Sequence, residues 1–162
     1  IEPLSKPSRL YIFGAGHIGK YVAGYAPEMG FETCLIDWRK EQFLNETNLP
    51  YKQINKPYIE AVNEINFDQD TYCVIVTPNH ESDEDILAAI GKKNTAYVGL
   101  IGSKRKIATL TRRFLNENIL TDEEIKRVDM PIGIKFNAIT PAEIAVSIIA
   151  KLIDVKNTKG AF

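Results

Sequence analysis

Four stretches of this chain carry groups that could do chemistry, and the first is a glycine loop. Gly14-Ala15-Gly16-His17-Ile18-Gly19 has the spacing G-x-G-x-x-G and lies between a β-rich run, RLYIF (9–13), and a helical pattern. In that setting the first glycine permits a tight turn and the second lets backbone approach a pyrophosphate. The third lets the helix pack on the strand. The helix N-terminus then offers unpaired N–H groups and partial positive charge to an anion. The second stretch is FETCLID (31–37), whose last residue, Asp37, falls about the ~20 residues downstream at which an acid meets ribose hydroxyls. An acid there favours an unphosphorylated ribose, because it would repel a 2′-phosphate; Arg39 and Lys40 directly after it weigh the other way. Loop and acid together point to an NAD-like dinucleotide. A tight turn without a ligand is the competing reading.

The other two stretches follow later strands. After TYCVIV (71–76) comes TPNHESD, with Thr77, Asn79, His80 and Asp83; after TAYVGLIG (95–102) come Gly102, Ser103, Lys104, Arg105 and Lys106. His17 and His80 are the chain's two histidines. Imidazole suits proton transfer or metal ligation, and equally suits a polar residue beside a helix start. Spacing does not gather them into a metal site, and none is expected. Three cations in the first turn of a helix oppose its dipole, and a bound anion would compensate. A solvated basic face continuing to Arg112 and Arg113 is the alternative. Ser103 reads as an N-cap, with no base partner to make it a nucleophile. The candidate binding set is therefore Gly14, Ala15, Gly16, His17, Ile18, Gly19, Asp37, Thr77, His80, Gly102, Ser103 and Lys104, with no catalytic residue assigned.

These stretches need a scaffold that brings strand ends together, and the element pattern supplies one. A helix is expected from His17 to about Met29, closed by Gly30, then the strand 31–37, a polar helical turn near 40–47 and a weak strand near 51–54. A short helix begins at Pro57, and the uninterrupted run 71–76 reads as a central strand. Helices follow over 80–90, capped by Asn79 or Ser82, and from Ser103 to about Asn116. Thr121 and Thr140 each open a helix with a capping box, separated by an extended piece near VDMPIGI. The tail from Asp154 onward looks frayed. Strand–helix alternation of this kind means a doubly wound, three-layer parallel sheet, Rossmann-like, in one domain ordered over about 9–155.

Composition fits that class. The 162 residues are 44% hydrophobic and 25% charged, with formal net charge −1. So even a balance argues against a nucleic-acid binder, and no apolar run approaches the ~18 residues of a membrane span. Cys34 and Cys73 lie in apolar runs and read as buried thiols of a reducing cytoplasm. The chain starts on Ile1 rather than methionine, so an upstream segment is expected in the native protein.

The motifs IFGAGHIG, AYVGLIGSKRK and PIG…TPAEIAVSI, taken together, resemble the xanthine dehydrogenase accessory family (XdhC/CoxI), in its C-terminal Rossmann-type domain, from Leu10 to about Ile153. The resemblance implies a role in maturing molybdenum hydroxylases: binding the molybdenum cofactor (molybdopterin) and aiding its delivery to a xanthine dehydrogenase. It also implies that Gly14, Gly16, His17 and Gly19 form the cofactor loop, Gly102, Ser103 and Lys104 a second loop, and Thr140, Pro141, Glu143 and Ile144 the final helix signature. Three departures stand out. Pro78 replaces the first histidine of a Thr-His-x-His pattern, Lys135 and Asn137 replace an acid and a glycine, and the family's upstream cysteine-containing domain has no counterpart here. An accessory domain that binds a cofactor and docks on a molybdenum hydroxylase is the favoured function. An NAD-dependent oxidoreductase and an NAD-sensing regulatory module are the rivals; self-association as a homodimer is a further expectation.

Overall fold

The computed structural model describes residues 6–159. Six strands form one sheet: β1 (Ser8–Phe13), β2 (Phe31–Asp37), β3 (Lys52–Asn55), β4 (Thr71–Ile75), β5 (Tyr97–Leu100) and β6 (Val128–Asp129). Every pairing is parallel and the order is β3-β2-β1-β4-β5-β6. All of β4 is buried, on both faces, which is why TYCVI is a continuous apolar run rather than an alternating one. Parallel strands need crossovers, and right-handed crossovers that reverse direction between β1 and β4 place helices on both faces.

One face is covered by α1 (His17–Tyr25) and α6 (Pro141–Lys159). Val22, Ala23, Ala145, Ile148 and Leu152 pack there on Leu10, Ile12, Leu35 and Val74. The other face carries α2 (Tyr58–Glu64), α3 (His80–Ile90), α4 (Lys104–Asn116) and α5 (Asp122–Lys126). There Ala61, Ile86, Leu87, Leu110 and Phe114 pack on Phe13, Ile36, Cys73 and Ile75. The three-layer, doubly wound class expected from the sequence is the one observed.

Local departures have local causes. The sequence pattern carries the first helix to Met29 as one element; it becomes a 3-10 turn over Ala26–Met29, because Pro27 has no N–H to continue the α-helical ladder. Gly30 ends it in the left-handed conformation, φ 87°. The polar segment after β2 forms only a 3-10 turn at Lys40–Gln42. Pro57 is the N-cap of α2 rather than its first residue. The tail expected to fray stays helical to Lys159, where Lys156 reaches the carbonyl of Met29 and lies over the Phe31 ring. That contact joins the end of α6 to the 3-10 turn that follows α1 and to the start of β2. The remainder of the tail, Gly160–Phe162, lies outside the described residues. Cys34 and Cys73 are free thiols, and burial pushes the Cys73 thiol up to about 12. Among the described residues no helix is long and apolar enough to cross a membrane.

Candidate functional site at the carboxyl ends of the strands

The glycine loop is built by close backbone approach. Gly14 has φ 115°, and a Cβ on it would lie 2.5 Å from the Val76 carbonyl oxygen. A Cβ on Gly19 would lie 1.8 Å from the Gly14 carbonyl oxygen, so α1 rests directly on the turn that launches it. Gly16 is different: a Cβ there meets no atom within 4 Å. Gly16 is also the N-cap of α1, and among the described residues no side chain caps that helix. The first intrahelical bond runs from the Lys20 N–H to the Gly16 carbonyl, so the N–H groups of His17, Ile18 and Gly19 have no helical acceptor. By contrast α3 is capped by Asn79, α4 by Ser103, and α5 and α6 by the capping boxes of Thr121 and Thr140. Gly16 thus leaves both the donors and the room that a phosphate group needs.

Asp37 sits beside this loop, as expected, but in a different role from the one read in the sequence. Its side chain is 0% exposed. One oxygen, Oδ1, accepts from the Arg39 backbone N–H at 2.9 Å and Arg39 Nε at 3.0 Å. The other, Oδ2, accepts from the Ala15 N–H at 2.8 Å and Arg39 Nη2 at 2.8 Å. All four acceptor positions of the carboxylate are therefore filled from within the chain. Burial alone would raise the Asp37 pKa; the Arg39 guanidinium and the two backbone N–H groups outweigh it and hold the carboxyl below its ordinary value. Asp37 ties the glycine loop to the end of β2 and fixes Arg39 over itself.

Thr77 connects the loop to the next crossover. Its Cα lies 2.9 Å from where a Gly14 Cβ would be, and its N–H and hydroxyl donate to Asp83 Oδ1 at 3.0 and 2.6 Å. Burial is the main influence on Asp83, opposed by these two bonds, and pushes its pKa up to about 6. A carboxyl with a raised folded pKa makes the native state bind more protons than the unfolded chain between about pH 4 and 6. Its contribution to stability consequently falls as pH climbs through that window. Asp83→Asn keeps the acceptor oxygen for Thr77 and removes the buried charge. Its Tm at pH 7.5 should be no lower than wild type and up to roughly 5 °C higher, with the difference vanishing near pH 4. A lower Tm across the whole pH range would contradict this assignment.

Asp83 also lines a cleft of about 400 Å³ between the starts of α3 and α4. Leu100, Ile107 and Leu110 form its apolar wall; His80, Gly102, Ser103, Arg105 and Lys106 supply the polar side. Lys106 Nζ lies 2.6 Å from His80 Nε2. An ammonium has only donors, so His80 presents the Nε2 lone pair to it. Ser103 is the expected N-cap, with Oγ accepting from the Lys106 N–H at 3.2 Å. Of the three cations in that turn, Arg105 and Lys106 line the cleft and Lys104 does not. A second cleft, about 480 Å³, includes Arg9, Cys34 and Lys52 at the opposite, amino ends of the strands. Ligands of doubly wound sheets bind at carboxyl ends, near the reversal of strand order, and the glycine loop and the α3–α4 cleft lie there.

The fold thus gathers the candidate residues into two linked groups. Gly14, Ala15, Gly19, Asp37 and Thr77 are joined by direct contacts around the loop, with Gly16, His17 and Ile18 forming the open helix start. His80, Gly102 and Ser103 share the cleft, and the Thr77–Asp83 pair is the bridge between the groups. Sequence reading undervalues Arg39 and Lys106. The signal for Arg39 is its position two residues after a strand-terminal acid, within reach of that acid's own oxygens.

An all-parallel sheet in this strand order, opened by G-x-G-x-x-G at the first strand–helix turn, defines a Rossmann-type domain. The chain belongs to the XdhC family: the sequence model of the XdhC Rossmann domain matches residues 10–152. It is 31% identical over 151 residues to the uncharacterized protein YqeB of Escherichia coli K12, covering 92% of this chain and 27% of that protein. It is 31% identical over 157 residues to a probable xanthine dehydrogenase subunit of Bacillus subtilis, covering 96% of this chain and 44% of the relative. A crystal structure described as a xanthine dehydrogenase from Bacillus halodurans superposes with TM-score 0.80 at 30% identity, over 95% of this chain and 44% of that one. The chain therefore spans less than half the length of these proteins.

Proposed function

We propose that this domain serves the xanthine dehydrogenase system as an accessory module that holds a phosphate-bearing cofactor, a nucleotide or the molybdenum pterin, and presents it to a molybdenum hydroxylase in the cytoplasm. The names of the Bacillus relatives support the system. The observation that carries the binding role is the start of α1: donors without acceptors, no side-chain cap, and a glycine whose Cβ direction is open. The residues fit such a group. Backbone N–H groups of His17 and Ile18 would take the phosphate, and the α3–α4 cleft would take a planar ring between its apolar wall and His80. When bound, the cofactor supplies whatever redox chemistry follows; the chain contributes binding and orientation. Ser103 Oγ caps α4 and has no base partner among the described residues.

Thermal unfolding with added ligand tests this reading. A ligand at a hundred times its dissociation constant should add about 2.7 kcal/mol of stability. Stabilisation by molybdenum cofactor or by a dinucleotide, lost in Gly16→Val, is expected. Equal ligand response in Gly16→Val would put the site elsewhere, and hydride turnover of alcohols or acids would favour an oxidoreductase.

A further inference from the structure

We infer that the position beyond β2, where a dinucleotide's adenosine ribose would lie, reads a phosphate monoester through Arg39 rather than a free ribose diol through Asp37, so that the domain prefers a 2′-phosphorylated adenine dinucleotide. The inference deepens the cofactor-holding reading and rests on it. A diol is read by a carboxylate with spare acceptor positions. Asp37 has none: its four bonds come from Ala15 and Arg39, and its side chain is fully buried. A diol could reach it only after the guanidinium left, exposing a buried carboxylate half stripped of partners.

Arg39 has the opposite character. Two of its five side-chain N–H donors, one on Nε and one on Nη2, go to Asp37. Three remain, and among the described residues Nη1 has no hydrogen-bond partner. The side chain is 19% exposed, so the unused edge has access to solvent. The turn that carries it is fixed from behind. Asn55 Nδ2 donates to the carbonyls of Asp37 and Trp38, both at 3.0 Å, and the Lys56 N–H donates to the Asp37 carbonyl at 3.2 Å. A guanidinium whose orientation is fixed by a carboxylate behind it is preorganised for an oxyanion in front. Lys40, exposed and next in the chain, adds a second positive charge. Arg39 already neutralises Asp37, and Lys40 offsets Glu41, the other acid that acts on the Arg39 guanidinium.

Calorimetric titration with NADP+ and NAD+ tests the inference on wild-type protein without any variant. NADP+ is expected to bind at least tenfold more tightly, with a steeper loss of affinity as salt rises. Arg39→Gln should remove most of that preference, lowering NADP+ affinity at least tenfold and NAD+ affinity by less than threefold. The ligand comparison stands by itself if that variant fails to fold. NAD+ binding equal to or tighter than NADP+, lost in Gly16→Val, would overturn the phosphate preference and leave the cofactor-holding reading intact. Binding of molybdenum pterin alone would do the same. No binding of any of the three would overturn both.

Discussion

Gly19→Ala should cost the domain about 3 kcal/mol or more, while Gly16→Val three residues away should cost less than about 1 kcal/mol. The two glycines share a motif and a helix end but face different surroundings. A methyl on Gly19 would sit 1.8 Å from the Gly14 carbonyl oxygen. The loop cannot retreat to make room, because Gly14 is itself wedged against the Val76 carbonyl at positive φ. Helix α1 must then lift from β1, opening the contact that buries Val22 and Ala23 against Leu10 and Ile12. For a domain of this size each kcal/mol moves Tm by roughly 2–4 °C, so Gly19→Ala should melt roughly 10 °C early. Thermal unfolding followed by far-UV circular dichroism reads both variants. A Gly19→Ala protein as stable as wild type would mean that α1 does not rest on the loop as described.

Asp37→Asn is expected to be the most damaging isosteric change near the site. Asparagine keeps one acceptor oxygen and turns the other into a donor that faces either the Ala15 N–H or the Arg39 fork. Breaking one side of a buried charge pair costs about 3 kcal/mol, a large share of the ~5–15 kcal/mol that holds a typical domain together. The pH dependence has a definite sign. Arg39 and the backbone N–H groups hold the folded carboxyl below its unfolded value, overcoming the burial that would raise it. The unfolded chain therefore binds more protons in that window, and stability from Asp37 is fully present above about pH 4. It is lost as pH falls through the lower folded value. The stability gap between wild type and Asp37→Asn should accordingly be constant from pH 5 to 8 and narrow in stronger acid. A gap that persists unchanged to the lowest accessible pH would mean that Asp37 gains nothing from ionisation in the fold.

The architecture is readable in the sequence because its signals are local and repeated. The glycine loop after RLYIF, the uninterrupted apolar run of β4 and the capping residues Asn79, Ser103, Thr121 and Thr140 each specify an element within a few residues. Their alternation then leaves the doubly wound sheet as the solution. Pattern and structure part where one residue overrides its neighbours, as Pro27 does in converting the end of the first helix to a 3-10 turn. The tail misleads for the reverse reason. Residues 154–159, polar apart from Val155, look dispensable in sequence, yet Lys156 finds the Met29 carbonyl and the Phe31 ring, contacts more than a hundred residues away along the chain.

The site is legible in its positions and much less in its roles. Which residues come to the strand ends follows from topology. Whether a side chain faces a ligand or the protein depends on its hydrogen-bond partners, and spacing carries none of that. Asp37 stands where a ribose-reading acid belongs and commits every acceptor to its own chain. Ser103 caps its helix as its position predicts and lines the cleft; Arg105 and Lys106 line it too, whereas Lys104 does not. The glycines are where motif and surroundings agree: Gly14 makes the tight turn, Gly19 lets α1 rest on it, and Gly16, with open space around it, begins an uncapped helix.

Backbone amide shifts on titration with phosphate-bearing ligand, NADP+ or molybdenum pterin, address that agreement most directly. The amides of His17, Ile18 and Gly19 should move first and furthest, with those of Gly102 to Lys106 following as the cleft fills. Shifts confined to the cleft at the amino ends of the strands, around Arg9 and Lys52, with the α1 amides unmoved, would contradict the account.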